Sequence, residues 1–497
     1  MLDKTFDRGY SSYFFILLIF VLLLFLAGLG SRGLWKPDAP RTAGVSAEMY
    51  YSQDYTLPKL NGKPFLEVPP LYYWATSASY AMFGLNEFSA RLPSAVAALC
   101  GALIIFALVR NMKGAPFTAF LAGIVLSTLG EYWIIGRKCT YDMLLCFFIL
   151  GGMFCFYNLH KALSDNKKSF CNIIWFIGFA LFISGAILSK GILGVGVPGI
   201  AIFFWLLYDL IFERKFKLKL WLALIIGSIL AFIPVGIWLV MLGEAHGWDM
   251  VYIVTIKNNL HRFTGEYAQH SNPFYYYFRV SPPQMLPWLI LVPFTAYFYC
   301  VKVRKYHMGN DLVFILTWFI IPFIVFCIAD GKRPVYILPL FPALALLVAV
   351  PTGKFIQEHH RFSQYSWRKI GTYLAIFLLI CYMTGEFVRI AIYNKKLSYK
   401  PIFTFSKQLE SKGINVELYR TGDENLMGAG PFYLGHNLKV IPNEASLQNE
   451  LNKSNTAVIV SEPDVLKKLK NVDVIGKFKV KRDDFLVLQG KAKLVKR

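Results

Sequence analysis

Eleven long apolar runs dominate this sequence. They centre on residues 12–30, 88–109, 115–134, 142–159, 172–189, 192–212, 220–242, 285–301, 311–329, 334–351 and 370–393. About 20 apolar residues let a helix cross a bilayer. Inside hydrocarbon every backbone N–H and C=O must be paired, and a helix does this within one segment. The chain is therefore expected to be an α-helical polytopic membrane protein with about eleven transmembrane helices. The first run follows a short charged segment, and its length favours a retained anchor over a cleaved signal peptide. Composition agrees: 56% of the 497 residues are hydrophobic and 16% are charged, against about 25% charged in a soluble domain. A typical cytosolic enzyme and a disordered chain are both excluded.

The net charge is +22. In a soluble protein that excess would suggest nucleic acid. Here the basic residues lie between apolar runs and no nucleic-acid motif appears, so membrane lipids are the expected partners. Lysine and arginine mark cytoplasmic loops. Lys4 and Arg8, Arg110 and Lys113, Lys161 and Lys167, Arg214 and Lys219, Lys302 and Arg304, and Lys354 and Arg368 fall on alternate connections. The amino terminus is thus expected to be cytoplasmic and the carboxyl terminus outside. The two longest loops, about 31–87 and 243–284, then share the outer face. The eight cysteines show no CxxC or Cys/His ligand spacing. They read as lone buried thiols.

Composition shifts near residue 395. Residues 1–394 read as the membrane domain and 395–497 as a small α/β soluble domain. Ala457–Val460 and Phe485–Leu488 look like strands, Ser446–Leu451 and Pro463–Leu469 like short helices. No phosphate-cradling glycine pattern is present, so this segment is assigned no chemistry.

The first outer loop holds the candidate chemistry. Asp38 follows the end of a span by a few residues, between Pro37 and Pro40. A carboxylate at the water–lipid boundary can activate a hydroxyl or orient a phosphate. It can equally N-cap an interfacial helix over 40–52. Arg41 either grips a phosphate with its planar fork or snorkels to headgroups. Glu67 precedes Pro69 and Pro70, which hold it rigidly. Tyr72, Tyr73 and Trp74 form either an aromatic belt or one wall of a sugar-lipid site.

Further along, Asp142 begins the fourth span. An acidic residue there needs a function or an ion pair, with Arg137 or Lys138 as partner. Lys190, in Ser189-Lys190-Gly191, is a phosphate contact or an ordinary polar turn. Arg262 lies among aromatic residues in the second long loop. Lys332 and Arg333 add charge at another outer turn. His261 and His270 are isolated, and isolated histidines are usually not metal ligands. Three carboxylates and five or six cations are thus expected to frame one outer surface. A transferase with an anionic leaving group needs that arrangement.

Asp38-Ala39-Pro40-Arg41 and the stretch from Asn61 through Glu67-Val68-Pro69-Pro70-Leu71 to Trp74 resemble the signature of GT-C membrane glycosyltransferases. The similarity is greatest to bacterial lipid A aminoarabinose transferases and relatives of protein O-mannosyltransferases. Asp142, Ser189-Lys190-Gly191, His261-Arg262-Phe263, Leu286-Pro287-Trp288 and Lys332-Arg333-Pro334 follow in the family's order. Two departures stand out. Ala39 replaces a second acidic residue, and Val68 replaces a lysine that in the family would contact a lipid phosphate. Lys63, Lys190 or Arg262 would then supply the missing charge.

The resemblance implies a sugar donor on polyprenyl phosphate, undecaprenyl phosphate in a bacterium. It implies an acceptor that is lipid A or a protein, in the inner membrane with the C-terminal domain periplasmic. Asp38 and Asp142 would be catalytic, with inversion at the anomeric carbon. Arg41, Lys63, Glu67, Tyr72, Lys190, Arg262, Lys332 and Arg333 would bind substrate or donor phosphate. No cofactor is certain; a divalent metal on Glu67 is optional in this reading. A lipid-linked sugar transporter or flippase is the rival.

Overall fold

A computed structural model of the chain describes residues 2–164, 169–260, 271–305, 309–358, 364–453, 455–461 and 463–491. Among them nine helices are long and apolar enough to cross a membrane, and two bent helix pairs bring the number to eleven. Each coincides with one apolar run of the sequence. In the helix Leu218–His246, Ile225, Ile229, Ile233 and Ile237 recur at one-turn spacing and are each more than half exposed. Such an outward apolar row suits a helix that meets lipid rather than water.

The two bent pairs correct the reading of 115–134 and 285–301 as continuous spans. Pro116–Thr128 meets Gly130–Gly136 at 68°, and Tyr276–Gln284 meets Trp288–Val301 at 109°. Each break frees backbone groups that hydrocarbon would leave unpaired. The breaks satisfy one another. Gly130 N–H donates to the Leu286 carbonyl at 3.0 Å, and Trp288 Nε1 donates to Thr128 Oγ1 at 2.8 Å. Tyr382 donates its hydroxyl to the Thr128 carbonyl.

All eight cysteines are free thiols. Cys139, Cys146, Cys155 and Cys327 are buried as expected, but Cys171, Cys300 and Cys381 are exposed on apolar helices. Uniform burial fails because a membrane helix presents apolar side chains outward as well as inward.

The chain forms two compact units. One comprises residues 1–27, 66–72 and 94–383; the other comprises 28–65, 73–93 and 384–497. The first carries most of the spans. The second joins the C-terminal segment with most of the first long loop.

Within the second unit a five-stranded sheet has the order β4-β3-β5-β7-β6. The strands are β3 (Asn415–Tyr419), β4 (Val440–Ile441), β5 (Thr456–Val460), β6 (Val472–Val480) and β7 (Asp483–Gly490). β3 runs parallel to β4 and β5, while β7 is antiparallel to β5 and β6. Ala457, Ile459, Phe485 and Val487 enter one core; Val458, Val460, Leu486 and Leu488 enter another. Both faces are covered, which is why these strands read as unbroken apolar runs. The segment expected to be helical over 463–469 is a 3-10 helix, Pro463–Lys468.

The helix expected over 40–52 is Ala39–Ser52. It crosses the helix Glu424–Leu434 glycine to glycine. A Cβ added at Gly44 would lie 2.5 Å from the Cα of Gly428, and one at Gly428 would lie 2.6 Å from the Cα of Arg41. Backbone cannot rotate away as a side chain can. Gly44→Val is expected to cost about 3 kcal/mol or more, above most overpacking changes. Thermal unfolding of the purified protein in detergent would read this as a clear fall in midpoint. An unchanged midpoint would show that the crossing is loose.

Candidate functional site

In the second unit the first long loop is built onto the C-terminal segment residue by residue. Lys36 Nζ bridges Asp423 at 2.9 Å and Asp483 at 2.6 Å. Burial alone would lift the Asp423 carboxyl, but hydrogen bonds from Tyr399 and Lys36 outweigh it and hold it below the usual range. Burial likewise pulls the Lys36 ammonium down, and its hydrogen bonds to Asp483 and Asp423 win and raise it.

Asp38 sits two residues on, at φ 73° and ψ −45°. Ala39 N–H donates to the Pro37 carbonyl at 3.0 Å. Asp38 is therefore the centre of a tight γ-turn, in a backbone region that non-glycine residues rarely enter. It occupies the N-cap position of Ala39–Ser52, yet its side chain makes no capping hydrogen bond. Its carboxylate instead accepts from Arg41 at 3.1 Å, and its N–H donates to Asn425 Oδ1 at 3.1 Å. The capping alternative is thus excluded. Arg41 also pairs with Glu424 at 2.7 Å and lies over the Phe65 ring at 5.4 Å. A guanidinium between two carboxylates and a ring is held in place, not snorkelling.

Lys63 stands on the hairpin of β1 (Lys59–Leu60) and β2 (Lys63–Pro64). Asn61 (φ 51°) and Gly62 (φ 82°) form its two-residue turn. Positive φ at both positions suits the twist of a tight hairpin, and Asn-Gly is the dipeptide that tolerates it.

In the first unit Asp142 is the first residue of the helix Asp142–Ser164. A partner not expected from the sequence holds it. Arg137 donates to the carbonyls of Leu24 and Ala27, each at 2.7 Å. The partner is Lys190, at the end of the helix Ser169–Lys190, and Thr140 Oγ1 donates to the second carboxylate oxygen at 2.8 Å. Lys190 is no turn residue. Its ammonium lies 5.3 Å from the Tyr141 ring and 4.7 Å from the Tyr336 ring. Both side chains of the ion pair are about nine-tenths buried.

Tyr72 is fully buried beneath this pair. Its hydroxyl shares a hydrogen bond with Ser94 Oγ at 3.1 Å, and Ser94 donates to the Thr140 carbonyl at 3.0 Å. Glu131, which begins the second half of a broken helix, interacts electrostatically with Lys138 and Asp142. Glu67 is half-buried and Val68 buried in the same unit.

Lys332 is only 3% exposed. Its ammonium donates to the carbonyls of Asn272, at 2.8 Å, and Ala329. Among the described residues no carboxylate pairs with it, so it leaves local positive charge. Arg333 is half-buried, and its carbonyl accepts from Tyr277 Oη at 3.2 Å. Arg262, His261 and His270 lie outside the described residues. Among the described residues no three His, Cys, Asp or Glu side chains gather to hold a metal.

Sequence reasoning missed Asp423, Glu424 and Asn425, together with Thr140 and Ser94. One signal was available. Three consecutive polar residues head a helix otherwise made of small and apolar ones, Leu426 through Leu434.

A family model described as dolichyl-phosphate-mannose-protein mannosyltransferase matches residues 10–251. The structure resembles the crystal structure of ArnT from Cupriavidus metallidurans bound to undecaprenyl phosphate, with a TM-score of 0.73. That likeness covers 95% of this chain and 97% of the other at 20% identity. At that identity the likeness is one of fold. Two curated relatives are similar in sequence. The undecaprenyl phosphate-alpha-4-amino-4-deoxy-L-arabinose arabinosyl transferase 2 of Proteus mirabilis is 29% identical over 386 residues. The match takes in 78% of this chain and 66% of that protein. The corresponding transferase of Aeromonas hydrophila is 31% identical over 341 residues, 68% of this chain and 60% of its own. The chain thus spans 60% to 66% of the length of these two relatives.

Proposed function

We propose that the chain transfers a sugar from undecaprenyl phosphate, or a similar polyprenyl phosphate, to an acceptor at the outer face of the bacterial inner membrane. Lipid A is the acceptor this reading favours. The amino terminus is cytoplasmic and residues 395–497 are periplasmic in the same reading. Support comes from the names of the relatives and from the basic loops that alternate along the sequence. The observation that carries it is Asp38: an ionisable carboxylate in a strained turn, with no capping task, beside a fixed arginine.

The acceptor oxygen attacks the anomeric carbon, the carbon–oxygen bond to the donor phosphate breaks, and the configuration inverts. If the acceptor is a hydroxyl, Asp38 takes its proton. If it is a phosphate, little deprotonation is needed and Asp38 positions it. Arg41, Lys190, Arg262, Lys332 and Arg333 stabilise the phosphate that leaves. Lys190 spends one N–H on Asp142 and keeps others for an anion. Asp142 and Glu67 shape the site, and Tyr72 supports Asp142 through Ser94 and Thr140.

Mass spectrometry of lipid A and envelope glycans, with and without the gene, tests this. Loss of a sugar-sized mass from lipid A is expected in its absence. Unchanged lipid A with a sugar lost from protein would move the acceptor to a polypeptide, the reading that the mannosyltransferase match favours. No change in either would overturn the transferase reading and favour lipid-linked sugar transport.

A further inference from the structure

Most cations of the second unit are already committed. Lys36 serves Asp423 and Asp483, Arg41 serves Asp38 and Glu424, Lys59 serves Asp54, and Lys400 serves Glu87. Two are not. Among the described residues neither the Lys63 ammonium nor the Arg420 guanidinium has a hydrogen-bond or ion-pair partner. They line one cleft of about 460 Å³ together with Asn61, Thr421 and Gly422. No acidic residue lines it; Leu438, Val440 and Pro442 supply an apolar wall.

The cleft is built, not incidental. Asn61 Nδ2 donates to the Leu438 carbonyl at 2.8 Å, and Leu438 N–H donates back to Asn61 Oδ1 at 2.8 Å. The buried Glu48 carboxylate accepts from Gly62 N–H at 3.0 Å and from Asn437 Nδ2 at 2.9 Å. These bonds clamp the hairpin that carries Lys63. Arg420 follows β3 directly, and its N–H donates to the Ile441 carbonyl of β4 at 2.9 Å. The cleft therefore opens at the carboxyl ends of two parallel strands, where α/β sheets commonly receive ligands.

The same loop leads to Asp38. Arg420, Thr421 and Gly422 line the cleft; Asp423, Glu424 and Asn425 touch Lys36, Arg41 and Asp38. Thr421 and Asn425 are four residues apart, so roughly 14 Å at most separates them. A single headgroup of sugar-lipid size reaches across that span.

We propose that this cleft docks a phosphate monoester of the acceptor, one other than the group that receives the sugar. Two unpaired cations and the Thr421 hydroxyl suit a dianionic phosphate. The apolar wall suits an amphiphile better than a free ion. The proposal rests on the transferase reading above and assigns Lys63 to acceptor rather than donor.

The test is binding to the full-length protein in lipid nanodiscs, read by tryptophan fluorescence. The probes are bisphosphorylated lipid A, the same lipid with its phosphates removed, and inorganic phosphate. The Lys63→Ala/Arg420→Ala variant is expected to bind the bisphosphorylated lipid about ten-fold or more weakly, and the dephosphorylated lipid as wild type does. Lys63→Arg should restore part of the loss. In turnover the acceptor KM should rise while the donor KM holds. Equal loss for both lipids, or no loss, overturns the proposal. Tight binding of inorganic phosphate with no contribution to lipid binding makes this a free-phosphate site and overturns the acceptor assignment. Failure of the transferase reading is seen separately, as wild-type protein that moves no sugar to any acceptor.

Discussion

Asp38→Asn is expected to lower sugar transfer by about 100-fold or more while the protein stays folded. Asparagine keeps the shape and tolerates positive φ, so the γ-turn survives. Only the charge and the capacity to take a proton are lost. Asp38→Gly sharpens the test. At φ 73° a glycine relieves strain that a non-glycine residue carries, of order 1–3 kcal/mol. Among the contacts it gives up is the ion pair with Arg41, which keeps its pairing with Glu424. The glycine variant should therefore be as stable as wild type, or more so, and inactive. Thermal unfolding beside a transfer assay with a polyprenyl-phosphate sugar separates the cases. Full activity in the asparagine variant removes the catalytic role. A glycine variant that melts early makes Asp38 a structural residue.

The second large effect concerns Asp142 and Lys190. Lys190→Met leaves a nine-tenths buried carboxylate with Thr140 but without its ammonium. Breaking a buried pair from one side costs about 3–5 kcal/mol, because the remaining charge stays desolvated. Transfer should be lost with it. Removing both charges, in Asp142→Asn/Lys190→Met, takes away that penalty, and asparagine still accepts from Thr140. Stability should then return to within about 1–2 kcal/mol of wild type, while transfer stays lost. A double variant that regains activity would show that the pair only holds helices together. A stable, active Lys190→Met variant would remove both roles.

The difference between legible and illegible features follows from the range of the interactions. The eleven spans were legible because each is a local property: about 20 apolar residues in a row. The strands Thr456–Val460 and Asp483–Gly490 were legible for the same reason. The two bent spans were not. At Gly130 the ladder breaks because Leu286, 156 residues away, accepts its N–H, and no window around Gly130 contains that acceptor. Asp142 was found because a carboxylate heading an apolar helix is costly alone. Lys190 was missed as its partner because Arg137 and Lys138 were nearer in sequence. Asp423, Glu424 and Asn425 were missed: locally they are an ordinary helix start, with Asp423 capping its helix by accepting from Asn425 N–H at 3.0 Å. Nothing local said that the same three residues also hold Lys36, Arg41 and Asp38.

By itself the sequence determined that this chain is a many-span helical membrane protein ending in a mixed α/β segment. Hydrocarbon and hydrophobic burial act on every apolar run wherever it lies in the fold. The order of its acidic, basic and proline motifs determined the resemblance to GT-C glycosyltransferases. Only the tertiary structure decided which cation each carboxylate keeps, and brought two cations without one, Lys63 and Arg420, into the same cleft. Pairing depends on distances of a few ångströms between residues hundreds of positions apart, and chain order does not encode those distances.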